Sequence, residues 1–229
     1  MKLSVRGTLP YRSMLAITVA AVVLLAGLLL IDPIARADLT EGRDYALVPQ
    51  KGTPQKSGKK VEVVEFFSYG CPHCAAMHPH ISKWSEALPG NVEFVRIPVA
   101  FNRREWGMLS RTYYTLQNLG ELKRLDGAVF EAIHQQRLPL FDEANITAWA
   151  VKQGIDANKF SSEFNSPRVN DAVTKAETLT RDLVIDSVPK IVVAQRYKVV
   201  AEDAKSYEDL FAVTDRIIDK AAKEKSAQR

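Results

Sequence analysis

The chain has 229 residues, 46% of them hydrophobic and 25% charged, so it has the composition of an ordinary globular protein and the length to bury one good core. The net charge of +4 does not point to nucleic acid: four basic residues (Lys2, Arg6, Arg12, Arg36) and one acidic residue (Asp32) fall within positions 1–37, and without them the charge is +1. Only two cysteines occur, three positions apart, which excludes a disulfide-stapled scaffold.

At the N-terminus, basic residues precede an unbroken apolar stretch from Met14 to Ile31, and Ala35-Arg36-Ala37 follows as a small-x-small cleavage site. This predicts an export signal over residues 1–37, cut after Ala37. The alternative is an uncleaved N-terminal anchor, since about 17 to 25 apolar residues suffice to span a bilayer. Residues 38–60 hold Pro49, Gly52, Pro54, Gly58 and several lysines, which predicts a surface lead-in with little regular structure and a core that begins at Val61.

Val61 to Phe67 is a β-branched and aromatic run, the pattern of a strand covered on both faces. A helix is expected from about Cys71 to Leu88, closed by Pro89-Gly90, and a second strand from Val92 to Val99. A β-α-β order makes these strands parallel. Residues 103–181 show amphipathic segments punctuated by Gly120, Pro139, Gly154 and Pro167, which predicts a helical insertion of four or five helices. Lys190 to Ala194 and Tyr197 to Ala201 follow as paired strands, and Tyr207 to about Glu224 as a closing helix. The fold class is α/β.

Cys71-Pro72-His73-Cys74 stands where the first strand gives way to a helix. Unpaired backbone N–H groups and the macrodipole at that end favour an anion, so Cys71 is expected to be the exposed thiolate and Cys74, one turn in, the more buried resolving thiol. Pro72 at the first helical position sacrifices no hydrogen bond. His73 offers a hydrogen bond and, when protonated, a positive charge beside the sulfur. Two rival readings exist. A structural disulfide closing so short a loop removes little chain entropy. A zinc site would draw on Cys71, Cys74 and two of His73, His78 and His80, but there is no second C-x-x-C, and His78 and His80 cannot share one helical face. His78, His80 and His134 are expected to be surface or packing histidines.

The run Glu65-Phe66-Phe67-Ser68-Tyr69-Gly70-Cys71-Pro72-His73-Cys74, the helical insertion, and Ser187-Val188-Pro189 ahead of the last strand pair together resemble the DsbA family of the thioredoxin superfamily, over essentially the whole mature chain. Pro79, five positions after Cys74, is similar to the kinking proline of many thioredoxin-like active-site helices. The resemblance implies a thioredoxin-like fold (residues 38–102 and 182–229) carrying a helical insertion domain (103–181). It implies a periplasmic, monomeric protein disulfide oxidoreductase that introduces disulfides into unfolded or newly exported cysteine-containing proteins. The Cys71–Cys74 pair would serve as the redox centre with no cofactor or metal, reoxidised by a quinone-linked inner-membrane partner. It further implies that the Val188–Pro189 bond is cis and lies against the cysteines to receive substrate, where a trans bond would be the ordinary case. Glu65, an acid within an apolar strand, would relay a proton to Cys74; the other reading is a carboxylate that reaches the sheet edge. The Ala194-Gln195-Arg196 turn lacks the Asn-Gly of a tight hairpin, which departs from the expected pattern. A disulfide isomerase or reductase, and a metal-binding or chaperone module, are the competing functions.

Overall fold

The structure is a computed structural model that describes residues 38–49 and 60–227; the predicted signal or anchor segment lies outside the described residues. No helix among the described residues is long and apolar enough to cross a membrane.

Five strands form one mixed sheet in the order β1-β5-β4-β2-β3: β1 Tyr45–Leu47, β2 Val61–Phe67, β3 Val92–Pro98, β4 Lys190–Val193 and β5 Tyr197–Val199. β2 pairs parallel with β3 and antiparallel with β4, so the strand that leads to the cysteines is flanked on both sides. Its β-branched and aromatic residues match that place: every residue from Val63 to Phe67 is buried. Alternation sends Phe67 into one apolar cluster and Val64 and Phe66 into another, with Val192, Val99 and Ile185.

The expectation that the core begins at Val61 is corrected. Tyr45–Leu47 forms β1, antiparallel to β5, and Val48 is buried behind it. A three-residue strand is too short to show a period, so its only signal is the partner it finds. The turn between β4 and β5 also closes without glycine. Ala194 and Gln195 take φ of 51° and 50°, and the Gln195 amide donates to Glu62 Oε1 at 2.8 Å, which holds the bend.

Helix α1, Pro72–Glu86, follows β2 and contains Pro79. Between β3 and β4 come α2 Arg104–Asn118, α3 Leu122–His134, α4 Glu143–Lys152, α5 Ala157–Phe164 and α6 Pro167–Asp182. Asp142, Asp156 and Ser166 cap the N-termini of α4, α5 and α6 with side-chain oxygens, and Gly120 and Gly154 supply the positive φ at the ends of α2 and α4. Their apolar faces, including Leu116, Val129, Ile146, Phe160 and Val169, join Phe67, Tyr69, Cys71 and Cys74 in one cluster. Helix α7, Tyr207–Ala227, closes the chain; its Phe211 stacks on Trp84 of α1 with ring centroids 5.0 Å apart.

Candidate active site

The cysteine pair is built by a helix start. Cys71 is the N-cap of α1, with φ −93° and ψ 117°, and its sulfur occupies the position where a serine or aspartate oxygen usually stands. The Cys74 backbone N–H donates to that sulfur at 3.4 Å, so the sulfur satisfies one of the orphan donors of the first turn. Pro72 is the first helical residue, and no acidic side chain in that turn opposes an anion. Both cysteines are free thiols.

These contacts divide the pair electrically. The Cys71 pKa is lowered to about 6: the Cys74 thiol donating to its sulfur acts most, burial works against it, and the backbone N–H groups of Cys74 and His73 and the His73 charge add to the lowering. Cys74 moves the opposite way. Its hydrogen bond to Cys71 and its burial push its thiol up, with a contribution from the negative charge of Glu65. One sulfur is thus the anion and the other the proton holder.

The expectation of an exposed Cys71 is corrected, because the residue is only 5% exposed against 0% for Cys74. The reason is the loop before β4. The Val188–Pro189 bond is cis, and the Cys71 sulfur lies 3.4 Å from the Val188 carbonyl oxygen, to which it donates only when protonated, with the Val188 side chain packed on the same apolar cluster. Pro72 and His73 are exposed beside it.

Glu65 does not reach a sheet edge, since it sits on β2, an interior strand flanked by β4 and β3, and is fully buried. In register it lies opposite Arg96 of β3, whose Nε donates to Glu65 Oε2 at 2.5 Å. Arg96 Nη1 donates to Asp126 Oδ2 of α3, and Tyr69 Oη donates to Asp126 Oδ1 at 2.5 Å. The guanidinium also stands 3.9 Å from the centroid of the Phe67 ring. Burial raises the Glu65 pKa, and Arg96 only partly offsets it.

Arg96 and Asp126 went unrecognised in the sequence, and Tyr69 entered only as part of the motif run, with no role of its own. The available signal was Asp126 on the apolar stripe of α3, three and four positions before Val129 and Phe130. The histidines are dispersed: His78 Nδ1 lies 3.7 Å from Asp126, His80 Nδ1 lies 3.7 Å from Glu208, and His134 Nε2 is 2.7 Å from the Tyr69 carbonyl. Among the described residues, no group of three or more His, Cys, Asp or Glu is placed to hold a metal ion.

A family model described as the DSBA-like thioredoxin domain matches residues 62–212. The chain belongs to the DsbA family. Among its DsbA relatives, the thiol:disulfide interchange protein DsbA of Pseudomonas aeruginosa is 34% identical over 183 residues, 80% of this chain and 86% of the relative. The protein of the same name from Bordetella pertussis is 42% identical over 146 residues, 63% of this chain and 68% of the relative. Solved DsbA structures share the fold. The crystal structure of Pseudomonas aeruginosa DsbA superposes with a TM-score of 0.75 at 33% identity, covering 84% of this chain and 98% of that one. A DsbA oxidoreductase of Neisseria meningitidis gives 0.73 at 27% identity, covering 83% and 98%. The thioredoxin-like α/β fold is therefore the DsbA fold.

Proposed function

We propose that this DsbA-family chain is a protein disulfide oxidoreductase that introduces disulfides into unfolded or newly exported cysteine-containing proteins. The observation that supports this most is the Cys71 sulfur as N-cap of α1, held as an anion by donors that find no charge once the disulfide forms. Reduction is favoured, which makes the disulfide an oxidant.

In the forward reaction a substrate thiolate attacks Cys71 Sγ. The Cys71–Cys74 bond breaks, and its electron pair goes to Cys74, which takes a proton from Glu65. A second substrate thiolate then attacks the substrate sulfur of the mixed disulfide and expels Cys71 as thiolate. Two electrons pass from the substrate dithiol to the cysteine pair, and Glu65 regains its proton from water. Pro72 fixes the helix start, and His73 adds positive charge beside Cys71. The Val188–Pro189 segment presents main chain next to the reactive sulfur for an extended substrate to pair with.

The pair itself serves as the redox centre, with no further cofactor. Residues 38–102 and 182–229 act as the thioredoxin-like domain and 103–181 as the helical insertion domain. The protein works as a monomer in the periplasm after export directed by residues 1–37, and a quinone-linked inner-membrane reoxidase restores the disulfide. A mature N-terminus at Asp38 is the expected mark of that export.

The test is the equilibrium of the Cys71–Cys74 pair against glutathione together with oxidation of a reduced client protein. A strongly oxidising potential with catalysed oxidation is the expected result. A reducing potential overturns it in favour of a reductase.

A further inference from the structure

Glu65 Oε1 is buried and has no hydrogen-bond partner among the described residues, while Oε2 is held by Arg96. Arg96 in turn is divided: Nε serves Glu65, Nη1 serves Asp126, and Nη2 is buried without a partner. One cation therefore stands between two carboxylates, 0% and 17% exposed. Asp126 arrives from α3, in the segment between β3 and β4, and is itself fixed by the Tyr69 hydroxyl two positions before Cys71.

We propose that Asp126 is a positioning residue for the exchange reaction: by drawing one arm of the Arg96 guanidinium to itself, it leaves Glu65 able to hold, on Oε1, the proton that Cys74 takes up when the disulfide opens. This rests on the thiol-exchange reading above and on Glu65 as the proton donor. The groups that face Glu65 are Arg96 of β3, Asp126 of α3, Tyr113 of α2 and Cys74 of α1; the partner from β4, Ile191, is apolar. Beyond them, His78 of α1 and Tyr69 bear on Asp126 and Arg96. The negative charge of Asp126 opposes ionisation of Glu65, and the positive charge of Arg96 favours it. Without the Asp126 charge, Arg96 belongs to Glu65 alone, and the proton is lost at lower pH.

The experiment measures the rate at which a dithiol peptide opens the oxidised protein, across pH, in full-length wild type and in Asp126→Asn, Glu65→Gln and the double variant. Asp126→Asn keeps the side-chain volume and an acceptor for Tyr69. It is expected to move the alkaline break of the profile down by about half a pH unit or more, an approximately threefold loss of rate above the break. In the Glu65→Gln background the same substitution should move nothing further. Tyr69→Phe provides a second variant: it takes a donor from Asp126, concentrates that carboxylate on Arg96, and should move the break upward. If Glu65→Gln changes the profile while Asp126→Asn leaves it unmoved, or shifts it equally in both backgrounds, the proposal for Asp126 is overturned. If Glu65→Gln itself leaves the profile unchanged, the donor reading falls, and the proposal with it.

Discussion

The sulfur of Cys71 and the carbonyl oxygen of Val188 are 3.4 Å apart although 117 positions separate them in the chain. The contact sets the Val188 main chain beside the sulfur, and Cys71 is left only 5% exposed. Cys74, wholly buried, meets no substrate directly. Given a client protein that carries a disulfide, the Cys71 thiolate of Cys74→Ser should attack it, release one client thiol and accumulate as the unresolved mixed disulfide, and Cys71→Ser should form none. Non-reducing electrophoresis after incubation with the disulfide-bearing client reads this out, and equal trapping by both variants would contradict the assignment.

The opposed thiols give the reduced protein a stability optimum in pH. Cys71 has a folded pKa of about 6, below the unfolded value of about 8.5, so its contribution is fully present above about 8.5 and is lost as pH falls through 6. Cys74 is raised, so the unfolded chain ionises more readily than the folded one above about 8.5, and stability declines there. Chemical unfolding of the reduced and oxidised forms should show the advantage of the reduced form growing between pH 6 and 8.5, by up to about 1.4 kcal/mol per unit. A flat difference across that range would rule out a thiolate origin.

His73 is exposed, and its charge is the smallest of the influences that lower the Cys71 pKa, after the Cys74 thiol and the backbone donors. Exposed charge is screened. His73→Ala is expected to raise the Cys71 pKa by less than about one unit and to lower the reduction potential by less than about 30 mV, because the two are the same free energy. Cys74→Ala should raise that pKa further. Thiolate absorbance titrations of the two variants check the order, and a larger effect from His73 would reverse it.

A Cβ on Gly70 would lie 2.6 Å from Trp106 Nε1 and 3.2 Å from Leu109 Cδ1, so α2 packs against the residue before Cys71 with no room to spare. Gly70→Ala should destabilise the protein by about 1–3 kcal/mol. In a Trp106→Leu background the added methyl should be tolerated better, and thermal unfolding of the four proteins measures the coupling. Strict additivity would mean that the two residues do not constrain each other.

Local signals made β2, α1, β3, the helical nature of the insertion and the final β-β-α legible in the sequence through their own period or punctuation, while the number of inserted helices stood at four or five until the structure showed five. The cysteine pair was legible for the same reason, since a thiol at a helix start needs only its neighbours. What stayed hidden depends on distant partners. β1 becomes a strand by pairing with β5. Cys71 is buried because residue 188 folds over it. Glu65 is paired because Arg96 stands opposite in register, and Asp126 reaches the same guanidinium from a helix 30 positions further on. The Ala194–Gln195 bend carries no turn residue, and its anchor is Glu62, 133 positions away.

The arrangement of strands around β2 orders the assembly of the protein in time. β2, α1 and β3 are contiguous and contain both cysteines, whereas β4 must wait until five helices have been made. Non-local pairing is slow to form. A nascent chain thus owns a nearly complete dithiol with no cover over it, and with only two cysteines, three positions apart, the sole internal disulfide open to it is the working one. Pulsed alkylation during refolding should find Cys74 becoming protected as the cover forms, while Cys71 stays reactive throughout.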